Sequence, residues 1–281
     1  MKKYYVIPFF IPFRGCPNKC VFCDQNRITG EKMPAPGEIS EKMEKYLHTM
    51  PISGVHIEAG FFGGSFTGLS RRMQTEYLSP LGPYLKKDRI HGIRLSTRPD
   101  MVDEETVVFL KDKGVTCVEL GVQSMCEGVL SLSRRGHTPL DTERASRLVL
   151  RHGLMLGHQM MVGLPGSSRE KELYTAERIK QLGASQVRIY PLLVIKGTEL
   201  EKMWKSGEYT ALGLEEAAER AALLISFFES SGVKVIRCGL HPSPGLISGE
   251  EYLAGPFHPS FGQMARRRAK ELVCRDADRS R

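Results

Sequence analysis

Cys16-Pro17-Asn18-Lys19-Cys20-Val21-Phe22-Cys23 is the stretch on which the reading of this chain turns. Its three cysteines have C-x3-C-x2-C spacing and follow an apolar, aromatic run, Tyr4 to Phe13. Three thiolates this close can hold three corners of an iron–sulfur cube, which leaves the fourth iron open to a substrate or cofactor. Plainer readings stand beside this one. A disulfide framework fits poorly, because seven cysteines are an odd number and the N-terminus does not read as a secretory leader. Zinc prefers four ligands in two pairs, and no second C-x2-C pair exists; Asp24 would be a poor fourth ligand beside three thiolates. The three cysteines could also have no ligand at all.

Outward from this motif, 281 residues suit one large barrel-type domain or two small ones. The 41% hydrophobic and 26% charged fractions are those of a soluble globular chain. No apolar run approaches the roughly 20 residues that span a bilayer, which excludes a helical membrane protein and leaves a cytoplasmic one as the expectation. Pro8, Pro12 and Arg14 break up the N-terminal run, so it reads as a first strand. The net charge of +8 favours anionic partners such as nucleic acid, phosphates or carboxylated metabolites. Part of that excess lies in Arg266-Arg267-Arg268 and in the last seven residues, Arg275 to Arg281, whose plain reading is a solvated, frayed end.

Alternating strand and helix patterns fill most of the chain. Tyr4 to Phe13 is the first strand, with the cysteine loop at its C-terminal end, where barrels of strand–helix units carry their active sites. Asp24 to Pro36 reads as loop, and helical periodicity runs from about Glu38 to His48. His56 to Phe62 is the second strand and ends in Gly63-Gly64-Ser65-Phe66-Thr67-Gly68, where glycines permit close backbone approach or a plain turn. A helix over about Ser70–Leu85 leads to the third strand, Gly92 to Thr97, and Asp103 can cap the helix that runs to Lys113. Thr116 to Gln123 is the fourth strand; Glu119 inside it needs a buried partner, most simply a structural ion pair. Asp141 to His152 is helical, Leu154 to Gly163 is the fifth strand, and His158 and Gln159 point to its opposite faces. Helix Glu170–Leu182 and a sixth strand, Gln186 to Val194, complete six units that ask for parallel pairing. A helix from Leu214 to Ser231, an apolar edge strand from Val233 to Leu240 and a Pro/Gly/His-rich lid follow. Cys238, His241 and His258 in that end are a possible second metal site of irregular spacing.

The cysteine spacing, with aromatic Phe22 before the last cysteine, resembles the signature of the radical S-adenosylmethionine (SAM) enzymes. That resemblance implies an α/β fold, an open partial (β/α)6 barrel with a short C-terminal extension. It also implies a 4Fe-4S cluster on Cys16, Cys20 and Cys23, with the methionyl amino and carboxylate groups of SAM on the open iron. Reductive cleavage of SAM would release a 5'-deoxyadenosyl radical that takes hydrogen from a substrate, with a flavodoxin or ferredoxin as electron donor. Onto this sequence the family's cofactor contacts carry over as Phe22, the glycine-rich Gly63, Gly64 and Ser65, then Ser96 and Gln123. Arg134 or Arg135 would hold the SAM carboxylate, and Gly163 and Pro165, in Val162-Gly163-Leu164-Pro165-Gly166, would lie beside the adenine. Ser65 stands where the commonest family form has Glu, and Ser96 where some relatives have a ribose-binding carboxylate.

Two further stretches narrow the likeness. Glu119-Leu-Gly-Val-Gln-Ser124 with Arg135-Gly-His-Thr138 is one; Arg188-Ile-Tyr-Pro-Leu-Leu-Val-Ile-Lys-Gly-Thr-Glu-Leu200 with Trp204-Lys-Ser-Gly-Glu-Tyr209 is the other. Both resemble the radical domain of the Elongator catalytic subunit, which modifies the wobble uridine of transfer RNA and also uses acetyl-coenzyme A. Tyr190, Lys196 and Trp204 are matching positions, with core packing or a solvated surface as their plain readings. Only about 70 residues follow Tyr209, short of the roughly 100 that a separate acetyltransferase domain needs. The expected organisation is a radical SAM core over 1–210 and, over 211–281, a helix, an edge strand, a lid and a basic tail. The expected activity is hydrogen abstraction, in transfer RNA or in a small metabolite such as a porphyrinogen. A binding module that carries a metal and docks nucleic acid without chemistry is the alternative of another class.

Overall fold

The computed structural model describes residues 3–12, 14–17, 20–51 and 54–279, and of 275–279 the backbone only. Phe13, the expected end of the first strand, and Asn18 and Lys19 of the cysteine loop lie outside the described residues. The strand–helix alternation read from the sequence is present. In order come β1 (Lys3–Phe10), α1 (Gln25–Thr29), α2 (Glu38–Leu47), β2 (Val55–Phe62), α3 (Arg71–Leu78), α4 (Gly82–Lys86) and β3 (Gly92–Thr97). Then follow α5 (Glu104–Asp112), β4 (Val115–Gln123), α6 (Glu127–Leu132), α7 (Pro139–Arg151), β5 (Met155–Val162), α8 (Arg169–Gln181) and β6 (Gln186–Pro191). The C-terminal part holds β7 (Val194–Ile195), α9 (Glu199–Lys205), α10 (Leu214–Ser230), β8 (Lys234–Cys238), α11 (Pro244–Ile247), β9 (Tyr252–Ala254) and α12 (Phe261–Arg279).

Seven strands form one parallel sheet in the order β1-β2-β3-β4-β5-β6-β8. Lys234 at the start of β8 lies over the ring of Tyr4 at the start of β1, 5.9 Å from its centroid. Flat, those strands would stand about 29 Å apart at the usual inter-strand spacing. The sheet is therefore curled into an open barrel whose edges approach at the N-terminal ends of the strands. Helices cover the outside. One core of sheet and helix residues, including Ile7, Phe61, Leu95, Val118, Leu156 and Ile189, holds the layers together.

Local chemistry accounts for most element ends. Asp103, Ser168 and Thr198 each accept a backbone N–H at a helix start, and Thr138 and Asp141 form a reciprocal capping box. Four expectations need correction. Asp24 to Pro36 is not all loop: Asp24 accepts from Arg27 N and opens α1, which Gly30 ends in a left-handed conformation. The single helix expected over Ser70–Leu85 is two helices joined by a 3-10 turn, because Pro80 and Pro83 each restart the chain with no N–H to donate. The sixth strand stops at Pro191, and Val194–Ile195 pairs instead, antiparallel, with β9. The C-terminal end is not only lid and tail, since α12 packs along α10 through Ala265 and Ala269. The expected edge strand is present as β8 and adds to the sheet beside β6.

Candidate active site

A cavity of about 980 Å3 runs through the barrel. Cys16, Cys20 and Cys23 line it, together with Phe22, Gly63, Gly64, Ser96, Gln123 and Arg135. Residues from five different segments thus meet at the C-terminal ends of the parallel strands, the level at which such sheets place their chemistry.

The cysteine loop is pinned from three sides. Val21 N donates to Ser133 O at 3.2 Å, and Leu200 N donates to Val21 O at 2.7 Å. On the third side Ser65 N donates to Arg14 O at 2.9 Å. The glycine-rich turn after β2 exists for this contact: a Cβ on Gly64 would sit 2.5 Å from both Arg14 O and Ile11 O. Ser65 is buried behind the cavity rather than facing it, and its hydroxyl bonds Thr97 Oγ1 at 2.8 Å.

Arg135 and Arg134 part company. Arg135 is buried; it donates from Nη1 to Cys20 Sγ at 3.2 Å and from Nη2 to Gly121 O at 2.6 Å. Arg134 is turned out to the surface at φ +49° and pairs with Glu199 at 3.5 Å. Gln123 ends β4 at φ +63°, beyond a break in the pairing register at Gly121/Gln123. A non-glycine residue held there carries strain, the kind that accumulates at ligand sites. Its buried Oε1 has no partner among the described residues. Gly163 and Pro165 are buried but do not line the cavity. The Gly163 peptide is held from both sides, its N–H by Glu172 at 2.8 Å and its C=O by Tyr209 at 2.8 Å.

Below the cysteines a buried polar layer crosses the barrel. Arg94 joins Glu58 at 2.5 Å and Glu119 at 2.8 Å, and Arg188 joins both oxygens of Glu119 at 2.5 and 2.9 Å. Burial alone would raise the Glu119 carboxyl, but Arg188 and Arg94 hold it below the usual carboxylate range. The ion pair expected for Glu119 is therefore present. Gln159 faces this layer and bonds Ser96 Oγ at 2.7 Å, while His158 on the other face meets Ser146 of α7 at 2.9 Å. His137 is a packing residue beside Val122 O, its pKa pushed down to about 3 by burial and by Arg135.

The residues fit a bound cluster and its cofactor. Burial, and Cys20 next to it, push the Cys23 thiol up to about 12, and the same two causes raise Cys16. A cation between the thiols reverses that tendency. Gln123 Oε1, Arg135 Nε and Arg98 Nη1 are buried around the same space without partners among the described residues, and each such group asks for a ligand or water. No three His, Cys, Asp or Glu side chains among the described residues converge on one metal ion. A cube takes each cysteine on a different iron, so the three loop cysteines need no common focus. Cys238, His241 and His258, the possible second metal site, are likewise not brought to one focus among the described residues, and His258 Nδ1 accepts from Ser260 N at 3.0 Å.

The radical SAM superfamily domain matches residues 10–179, and the radical SAM C-terminal domain matches 184–271. This chain belongs to the radical SAM superfamily. It is 40% identical over 223 residues to a tRNA uridine(34) acetyltransferase of Methanocaldococcus infernus, covering 76% of this radical SAM chain and 40% of that protein. It is also 30% identical over 222 residues to an uncharacterized protein of Methanocaldococcus jannaschii, covering 75% of this chain and 68% of the other. Among solved structures, archaeal Elp3 of M. infernus with an N-terminal deletion superposes with a TM-score of 0.72 at 23% identity, over 97% of this chain and 64% of that one. The present radical SAM chain thus spans well under half the length of the first of these relatives, and it is an enzyme of the superfamily with the open-barrel fold.

Several cavity residues escaped the sequence reading. Arg94, Arg188 and Arg237 line it, and in the sequence each is one arginine inside a strand. The buried pair of carboxylates at Glu58 and Glu119, each in an otherwise apolar strand, was the available signal for Arg94 and Arg188. Tyr190 lines the cavity, Trp204 packs against the small core that includes Cys20 and Val21, and Lys196 lies half-buried outside it.

Proposed function

We propose that this chain cleaves SAM reductively at a 4Fe-4S cluster on Cys16, Cys20 and Cys23 and directs the radical to transfer RNA at the wobble uridine. The observation that carries the chemistry is that all three cysteines line one cavity with Gln123 and Arg135. When bound, the cluster supplies the electron that cleaves SAM to methionine and a 5'-deoxyadenosyl radical, with flavodoxin or ferredoxin as the source of that electron. Arg135 donates to Cys20 Sγ and offers its remaining buried N–H, Nε, to the SAM carboxylate; Arg134 points elsewhere. Gln123 aims its free amide oxygen at the ribose hydroxyls, and Ser96, steadied by Gln159, stands at the same level. Phe22, Gly63 and Gly64 wall the cluster side and exclude water. Gly163, whose backbone Glu172 and Tyr209 hold, and Pro165 lie behind the cavity wall and would support the cofactor's adenine end from there.

The RNA assignment rests on the relative named for tRNA uridine 34 and on the net charge of +8. No helix among the described residues is long and apolar enough to cross a membrane, in keeping with a cytoplasmic RNA enzyme. Residues 184–271 match a radical SAM C-terminal domain, so this chain by itself is expected to cleave SAM without hydrolysing acetyl-coenzyme A. Anaerobically reconstituted protein with dithionite and SAM is the test. Adding transfer RNA should raise 5'-deoxyadenosine formation several-fold, and adding acetyl-coenzyme A should release no coenzyme A. An unchanged rate with RNA refutes the RNA assignment while leaving the cluster chemistry in place.

A further inference from the structure

We propose that Arg237 and His241, at the C-terminal end of β8, form a phosphate-binding subsite in the wall of the cavity. The inference rests on the RNA reading for the source of the phosphate, but not for the subsite itself. Strand β8 carries a bulge: Val235 pairs with Val187, yet the next partner of Arg188 is Arg237, so Ile236 and Arg237 together face one residue of β6. Without the extra residue, Ile236 would stand opposite Arg188 and face the interior. With it, Arg237 takes the place opposite Arg188, and Ile236 and Arg237 both line the cavity.

The two neighbouring arginines differ in what occupies them. Arg188 is committed to both oxygens of Glu119. Arg237 donates only Nε, to Gly239 O at 3.1 Å, and among the described residues both its terminal amino groups lack a hydrogen-bond or ion-pair partner. Half-buried cationic forks are usually paired, and the planar fork suits phosphate oxygens. His241 lines the same cavity and lies close enough to Arg237 to feel its charge. Burial and Arg237 hold the His241 imidazole below the usual histidine range, so it serves as a neutral hydrogen-bonding partner, and Lys234 adds a second cation at the far end of β8. Of the acidic side chains, Glu58 and Glu119 are taken by Arg94 and Arg188, Asp100 is taken by Arg98, and among the described residues Glu31, near enough to His241 to act on it, is the one carboxylate that lines the cavity. The cluster side is served by Arg135. The uncommitted positive charge therefore sits on β8, where a phosphodiester next to the reacting nucleotide would be held.

The shared chemistry is a phosphate oxyanion, either in the backbone of RNA or in a free phosphorylated metabolite, and two arms separate these. An anticodon stem-loop RNA and inorganic pyrophosphate are each titrated against the reconstituted full-length protein, as wild type, Arg237→Ala and Arg237→Lys. Iron content and melting temperature serve as folding controls. The stem-loop should bind Arg237→Ala about 5- to 10-fold more weakly, with the log–log salt slope smaller by roughly one contact, about 0.7 to 0.9. Arg237→Lys should recover part of the affinity and the full slope. Pyrophosphate should bind wild type and lose affinity by a similar factor in Arg237→Ala. Binding of pyrophosphate alone supports the subsite and removes RNA as its source. A wild type that binds neither probe, or an Arg237→Ala protein that binds both as wild type does, overturns the subsite.

Discussion

Gln123 shows most plainly what single residues contribute. At φ +63° it occupies a conformation that costs an L-residue about 1–2 kcal/mol, and its side-chain oxygen is left without a partner. A residue that is strained and unsatisfied at once is a place where a ligand contact is expected. Replacing it separates the two effects. Gln123→Gly removes the strain and the amide, whereas Gln123→Ala removes only the amide. The glycine variant should be more stable than the alanine variant by about 1 kcal/mol in denaturant unfolding, while both bind SAM roughly tenfold more weakly with the iron content unchanged. Equal stability of the two would mean that the backbone is not held there, and normal SAM affinity in both would remove Gln123 from the site. The sequence marked Gln123 only through a family likeness. Nothing in the string Val122-Gln123-Ser124 announces a positive φ, because the strain follows from the register break between β4 and β5.

Elements were legible where local chemistry controls them and obscure where a partner does. Strand β3 was readable to the residue as Gly92–Thr97, and Asp103 declared the start of α5. Helix α12 was missed although Phe261, Ala265, Ala269 and Leu272 fall on one helical face. The preceding prolines and the run of arginines have the composition of a loop and a tail. The small alanines make sense only against Ala217, Ala218, Ala221 and Ala222 of α10, which is tertiary information. The pairing of α7 with β5 carries a measurable consequence. His158 is fully buried, its Nε2 against Ser146, and burial pushes its pKa down from 6.5 to about 3. Because the folded-state pKa lies below the unfolded one, the unfolded chain takes up a proton first as the pH falls below 6.5. Stability is therefore lost between pH 6.5 and about 3, and His158 has no effect above that window. His137 adds to the same window. Going from pH 7 to 5.5 should cost His158 alone about 1 kcal/mol. A His158→Gln protein should lose correspondingly less over that interval than wild type, read from urea midpoints at the two pH values. Parallel losses in both proteins would show that His158 is not held neutral.

At the scale of the molecule, the open barrel decides where charge is available. The Arg266–Arg268 run, part of the chain's positive excess, makes helix contacts: Arg266 reaches Glu229 and Val235 O, and Arg268 pairs with Glu215. The strand interiors are neutralised by the Glu58–Arg94–Glu119–Arg188 layer. What remains along its walls is the cysteine loop with Arg135 and, lining the same cavity, β8 with Arg237. A curled sheet that fails to close leaves both walls facing one space, wide enough for a cofactor and part of a large substrate. The alternation of strands and helices made that architecture readable from the sequence; the contents of the cavity were not, because they depend on which strand faces which across the barrel. The account stands or falls on reductive cleavage of SAM at the three cysteines. Anaerobically reconstituted protein, with about four irons and four sulfides per chain, should form 5'-deoxyadenosine from SAM and dithionite, detected by mass spectrometry, and Cys20→Ala should form none. Wild-type product no greater than the protein-free blank, or product undiminished in Cys20→Ala, would contradict it.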